Sequence, residues 1–221
     1  GITMDELILW CLEHNILGLE EFSGIPGTVG GSVFINLHYY DFLLADFLIK
    51  AEIIKTDTSA ISTVDKTWFN FGYNYSSLHT HEHFLISATF KLNRCSELQK
   101  AYAQGRRVEI IRHRTKRYPT THTCGSFFRN FTQEEVTLTI NEKKMIFVAY
   151  YLDKIGVKGT LRHGNAIVSP QHANMIIALP GATSTDIITL ARDMQHRVFN
   201  EFGIIPQPEC RLIGFHQYPL L

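Results

Sequence analysis

Residues 23–36 read SGIPGTVGGSVFIN. Glycines at 24, 27, 30 and 31 free backbone N–H groups and permit left-handed turns, and the run then becomes β-prone. Loops of this kind cradle a phosphate or the edge of a flavin. This one is neither a Walker loop nor a GxGxxG, and a plain tight turn is the competing reading.

Working outward, residues 4–17 are expected to form a helix. Leu7, Ile8, Trp10, Cys11, Ile16 and Leu17 give it an apolar face, and Gly18 is its expected stop. Strands are expected at 51–56, 61–64 and 85–92, and a helix at 96–114. Beyond it come a strand at 135–140 closed by an Asn141-Glu142 turn, and a helix at 147–155 ended by Gly156. A strand at 174–179 follows. The clearest helix is 185–202, with Ile187, Ile188, Leu190, Ala191, Met194 and Val198 at a 3.6 period, Ser184 or Thr185 as cap and Gly203 as stop. A strand at 211–215 closes the chain. The pattern implies an α+β protein with a boundary near 97–105.

The sequence has 221 residues, 45% hydrophobic and 19% charged, which suits a soluble globular protein with a real core. The apolar segment at 42–49 is too short to span a bilayer and is broken by Asp46. No charged-then-apolar signal opens the chain, so the expected compartment is the cytoplasm. Lys+Arg and Asp+Glu both number 21, which argues against general nucleic-acid binding. The basic run GRRVEIIRHRTKRYP (105–119) is the local exception, read either as a solvated helix face or as an anion site. The four cysteines, Cys11, Cys95, Cys124 and Cys210, lack paired spacing, which argues against zinc or a disulfide framework.

Three further stretches carry candidate chemistry. HTCGSFFRN (122–130) sets a lone Ser126 after Gly125, either an ordinary strand start or a presented hydroxyl. FGYNYSS (71–77) is aromatic and polar, with a strand edge as its bland reading. HGNAIVSPQHANMII (163–177) either lines a polar pocket or forms a well-bonded loop. His79, His81 and His83 alternate, and surface histidines in a turn outweigh a metal site, so no metal is expected.

Taken in order, GLEEFSGIPGTVGGSVFIN, FGYNYSS, CGSFFRN, GVKG, GNAIVSPQHAN, GATSTDIITL and FGIIPQPECRLIG resemble the UDP-N-acetylenolpyruvoylglucosamine reductase family over residues 18–214. These are flavoenzymes that make the muramic acid unit of peptidoglycan. The resemblance implies that residues 1–100 are the second subdomain of an FAD-binding domain and that residues 101–221 bind substrate. FAD and NADPH are the implied cofactors, and an enolpyruvyl UDP-sugar is the implied substrate. Ser126 matches the proton donor, Glu209 its supporting glutamate, and Asn130 a substrate-binding asparagine. Lys116 is the match for a cation near the diphosphate. Gly24, Ile25, Pro26, Gly27, Thr28, Gly30, Gly31, Asn36 and Tyr73 match cofactor contacts, with Tyr73 also touching substrate.

Two departures stand out. The family's Tyr-Arg pair is Tyr73-Asn74 here, which puts Asn74 in the place of a charged catalytic arginine. A glycine near the flavin has become His38. The family also begins with a subdomain holding a Gly-Ser-Asn loop for FAD, which is not present ahead of Gly1 in this sequence. FAD is therefore not expected to be held tightly by residues 1–221 alone. The alternative is a divergent, non-catalytic relative that binds a UDP-sugar or flavin. Oligomeric state is not indicated.

Overall fold

Thr3 and Glu6 close a reciprocal capping box that starts helix α1 (Met4–Glu13) in the computed structural model, which describes residues 1–221. The chain divides into two compact units, Gly1–His113 and Arg114–Leu221. Both mix helix and sheet, as an α+β chain should.

In the first unit α1 ends earlier than its periodicity suggests. Asn15 takes a left-handed φ of 57° and its amide donates to Glu97 at 2.5 Å. The next two residues form strand β1 (Ile16–Leu17) instead of a last helical turn.

The loop at 23–36 also departs from expectation. Gly24 (φ 73°) and Gly27 (φ 132°) do turn left-handed. The supposedly β-prone part is helix α2 (Val29–Phe34), which contains Gly30 and Gly31. Two helical glycines cost roughly 1 kcal/mol each. Thr28 offsets this by accepting from Gly31 N at 3.1 Å, and Val33 is buried beneath the helix. Backbone bonds Met4 N to Gly27 O and Val29 N to Ile2 O, both 3.0 Å, pin the loop to the start of α1.

The chain then makes a hairpin, β2 (His38–Tyr39) with β3 (Phe42–Leu43). Strands β4 (Leu48–Lys55), β5 (Ile61–Asp65) and β6 (His83–Phe90) form an antiparallel sheet ordered β5-β4-β6. Ala51 and Ile53 of β4 face the core. Strand β7 (Asn93–Arg94) pairs with β1.

Helix α3 (Glu97–Arg117) follows. Its basic run is an ion-paired face: Arg106 grips Glu21 through two 2.9 Å bonds, Arg107 meets Asp5, and Arg112 meets Glu109. The three alternating histidines do not share a strand. His79 lies in a short 3-10 turn, His81 is left-handed beyond it, and only His83 is in β6.

In the second unit the expected strand at 135–140 shrinks to β8 (Thr139–Ile140), paired with β9 (Lys143–Lys144). Asn141 and Glu142 make the turn, both at positive φ. Upstream, Glu135 N returns to Thr132 O, so that stretch turns instead of extending. Helix α4 (Val148–Lys154) ends before Gly156.

Strands β10 (Arg162–His163), β11 (Ala166–Val168) and β12 (Ile176–Ala178) form an antiparallel sheet that packs against helix α5 (Ser184–Phe202). The cap of α5 is Thr183, in a capping box with Asp186, one residue before the predicted caps. Leu190, Ala191, Met194 and Val198 bury its inner face. Residues 211–215 form no strand: Gly214 turns left-handed, Ile213 is 80% exposed, and no sheet edge pairs with them.

Candidate active site

Residues 126–129 run extended between two other segments of the second unit. On one side Phe127 N donates to Asn174 O at 2.8 Å, and Ser126 pairs with Met175. On the other, Glu209 N donates to Phe127 O at 2.8 Å and Arg129 N to Gln207 O at 2.9 Å, with Phe128 opposite Pro208. Phe127 and Phe128 are both buried although adjacent, and both belong to the single hydrophobic core of this unit.

This lattice fixes the backbone of Ser126. The residue is half-buried, and its hydroxyl makes no hydrogen bond within the protein. Gly125 sits at φ 86°, and a Cβ built there meets nothing within 4 Å, so the approach beside the serine is open. Ser126 and Glu209, remote in sequence, lie on adjacent segments of the ribbon one residue out of register, Ser126 opposite Cys210 and Glu209 opposite Phe127. Glu209 is exposed, and its charge reaches the thiols of Cys124 and Cys210, where it opposes the thiolate form as a lesser influence beside the interaction between the two thiols.

The other expected substrate residues, Asn130 and Lys116, also belong to the second unit. Asn130 Oδ1 accepts from Val148 N at 3.3 Å, at the start of α4. Lys116 is exposed in the last turn of α3. Gln171 Nε2 donates to the carbonyls of Thr115 (3.1 Å) and Lys116 (3.4 Å), tying that helix end to the 169–174 loop. That loop is the well-bonded alternative: Ser169 Oγ accepts from Gln171 N and His172 N.

In the first unit, Gly24, Ile25, Pro26, Gly27 and Thr28 form the turn before α2, and Gly30 and Gly31 lie inside it. Space is open where a Cβ on Gly27 would stand. Asn36 is left-handed and 6% exposed. Its Nδ2 donates to Gly72 O at 3.0 Å, while its Oδ1 has no partner. Asn74 is also left-handed, with a buried Nδ2 that has none.

One orphan acceptor, one orphan donor and the exposed Tyr73 ring fit a flat, hydrogen-bonding heterocycle such as a flavin. His38 lies with its ring 5.2 Å from that of Tyr73. Burial lowers its pKa, which favours the neutral imidazole, so it is a poor replacement for a guanidinium charge.

Sequence reasoning missed three features. Asn174, 3% exposed, bonds Phe128 through both ends of its amide. Arg129 clamps Glu135 with bonds of 2.8 and 2.7 Å. The Cys124 and Cys210 thiols touch. Only the second lay within a short span; the others depend on pairing between distant segments.

Comparison with known proteins gives a consistent picture. Residues 117–213 match the family described as UDP-N-acetylenolpyruvoylglucosamine reductase, C-terminal domain. The enzyme of that name from Pediococcus pentosaceus is 34% identical over 91% of this chain and 62% of its own length. That from Caldicellulosiruptor saccharolyticus is 31% identical over 100% of this chain and 66% of its own. The chain thus spans a little under two thirds of these relatives. A crystal structure of UDP-N-acetylenolpyruvylglucosamine reductase from Thermus caldophilus aligns with a TM-score of 0.73 and 26% identity, over 93% of this chain and 68% of that one. On the serine ribbon, the glycine turn and these matches together, the chain belongs to the UDP-N-acetylenolpyruvoylglucosamine reductase family.

Proposed function

We propose that this chain carries the proton-donating and flavin-contacting parts of a reductase that converts UDP-N-acetylglucosamine enolpyruvate to UDP-N-acetylmuramate, a step in making peptidoglycan precursors. The first unit serves as the second part of an FAD-binding domain, and the second unit binds substrate. One observation carries the reading: Ser126 presents an unbonded hydroxyl from a ribbon paired on both sides, with Glu209 on the adjacent segment.

The chemistry asks for this. Bound FAD, reduced by NADPH, would supply hydride chemistry at the substrate's methylene carbon. Negative charge then builds on the adjacent carbon and its carboxylate, and an acid must protonate that carbon. Ser126 delivers the proton, and Glu209 supports the hydroxyl, which alone is a weak acid. The ribbon holds Ser126 in place before substrate arrives, so little reorganisation is needed. Asn36 and Asn74, through their orphan amide atoms, and Tyr73 are the residues of this unit that would hold the flavin. Lys116 offers positive charge to the diphosphate, and Asn130 orders the α4 end of the site.

The substrate is a nucleotide sugar, and on that ground the reaction is placed in the cytoplasm; separately, no helix is long and apolar enough to cross a membrane. The test is spectroscopic. Full-length protein should be yellow, bleach with NADPH, and regain colour when the enolpyruvyl UDP-sugar is added. A second reading, a UDP-sugar or flavin binder without turnover, is favoured by the missing charge at Asn74 and the neutral tendency of His38. Binding of the UDP-sugar with no colour recovery selects that reading.

A further inference from the structure

Cys124 and Cys210 are brought together by the same ribbon. The register that sets Phe128 opposite Pro208 sets Ser126 opposite Cys210. Gly125, at φ 86°, turns the chain just before Ser126, and the Cys124 side chain two residues upstream interacts with that of Cys210. The two thiols are hydrogen-bonded, and neither is in a disulfide. Cys124 is exposed and Cys210 half-buried. Cys11 and Cys95 belong to the first unit. The Glu209 carboxylate acts on both thiols, and Cys210 in turn acts on the Tyr218 phenol.

We propose that Cys124 and Cys210 form a reversible dithiol–disulfide modification site beside Ser126, in which Cys124 reacts with a peroxide and Cys210 resolves the product. Their thiols are unequal in the way this chemistry needs. The hydrogen bond from Cys210 brings Cys124 down to about 7, against burial and the Glu209 charge, which push it up. Cys124, the more exposed of the two residues, is thereby the one favoured as thiolate. Cys210 is pushed up, chiefly by its bond to Cys124, then by burial and the Cys124 charge.

The steps balance. The Cys124 thiolate attacks one peroxide oxygen, the O–O bond breaks, and hydroxide leaves to become water. Cys124 is now a neutral sulfenic acid. That removes the negative charge that held the proton on Cys210. The Cys210 sulfur attacks Cys124, the S–O bond breaks, the S–S bond forms, and the oxygen departs as a second water carrying the Cys210 proton. Two thiols have lost two electrons to one peroxide. A small-molecule thiol returns the pair by exchange.

The cross-link ties the residue before Gly125 to the residue after Glu209. It therefore stiffens the open side of the candidate proton donor and should reduce turnover. That consequence rests on the reductase reading; the cross-link itself does not.

The test uses residues 1–221, reduced, freed of reductant and treated with stoichiometric hydrogen peroxide. A non-reducing peptide map should show one linked pair, containing Cys124 and Cys210, while free thiols fall from the initial four by two. Dithiothreitol should restore them. Cys124→Ser should lose no thiols on the same timescale. Cys210→Ser should accumulate a sulfenic acid at Cys124 that dimedone traps. Because the map is read on the native sequence, a poorly folding variant does not rescue the idea. Bridges from Cys124 to Cys11 or Cys95, or Cys124 over-oxidised while Cys210 stays a free thiol, would overturn it whether or not the protein proves to be a reductase.

Discussion

The side chain of Asn174 pairs with the backbone of Phe128 at both ends: Oδ1 accepts from Phe128 N at 3.0 Å, and Nδ2 donates to Phe128 O at 2.7 Å. A single amide thus stands in for a strand, two residues from Ser126. Both backbone groups are buried, so removing the amide leaves two unsatisfied atoms, each worth about 1–3 kcal/mol. Asn174→Ala should lower the unfolding free energy by roughly 2–4 kcal/mol, read from denaturant midpoints at unchanged m. Asn174→Asp, which keeps the acceptor and loses the donor, should fall between. A loss in Asn174→Ala within experimental error would mean the ribbon is held by its other bonds.

Arg129 and Glu135 make a pH-dependent clasp on the next residue of the ribbon. The Arg129 guanidinium holds the Glu135 carboxyl down to about 2, from an ordinary 4.5. A depressed carboxyl binds its proton less readily when folded. Its stabilisation is therefore complete above about pH 4.5 and drains away as pH falls through 2. The pair is about a third exposed, so its worth after solvent screening is about 1 kcal/mol. Glu135→Gln should be less stable than wild type by that amount at pH 7, with the gap closing in acid. A gap that widened below pH 4.5 would contradict the assignment.

Much of the fold was legible where one local rule dominated. The α5 periodicity, the three strands of the first unit and the Asn141-Glu142 turn followed from spacing and turn chemistry. The failures came where tertiary contacts overrode propensity. Gly30 and Gly31 disfavour a helix, yet α2 forms on buried Val33 and the Thr28 cap. Ile16 and Leu17 suit a helix, yet the left-handed Asn15 delivers them to β7.

The site divides in the same way. Ser126 and Glu209 were visible through family motifs, whereas Asn174 and the Cys124–Cys210 contact arise from backbone pairing between segments that no spacing connects.

Asn74 supplies a separate test. Its Nδ2 is buried without a partner, and the neighbouring His38 tends to be neutral. An arginine there would add a permanent charge and a fork of donors. In full-length protein, Asn74→Arg should speed substrate-dependent flavin reoxidation by roughly tenfold or more, as charged hydrogen bonds are about twice as strong as neutral ones. His38→Gly should not substitute for it. No gain, together with retained UDP-sugar binding, would favour the non-catalytic reading.

The central claim is that Ser126 gives up the proton. In full-length protein, the two half-reactions can be timed separately by flavin absorbance for wild type and Ser126→Ala. The account predicts unchanged bleaching by NADPH and a loss of about 10²–10⁴ in reoxidation by the enolpyruvyl UDP-sugar. Equal losses in both half-reactions, or reoxidation at the wild-type rate, would contradict it.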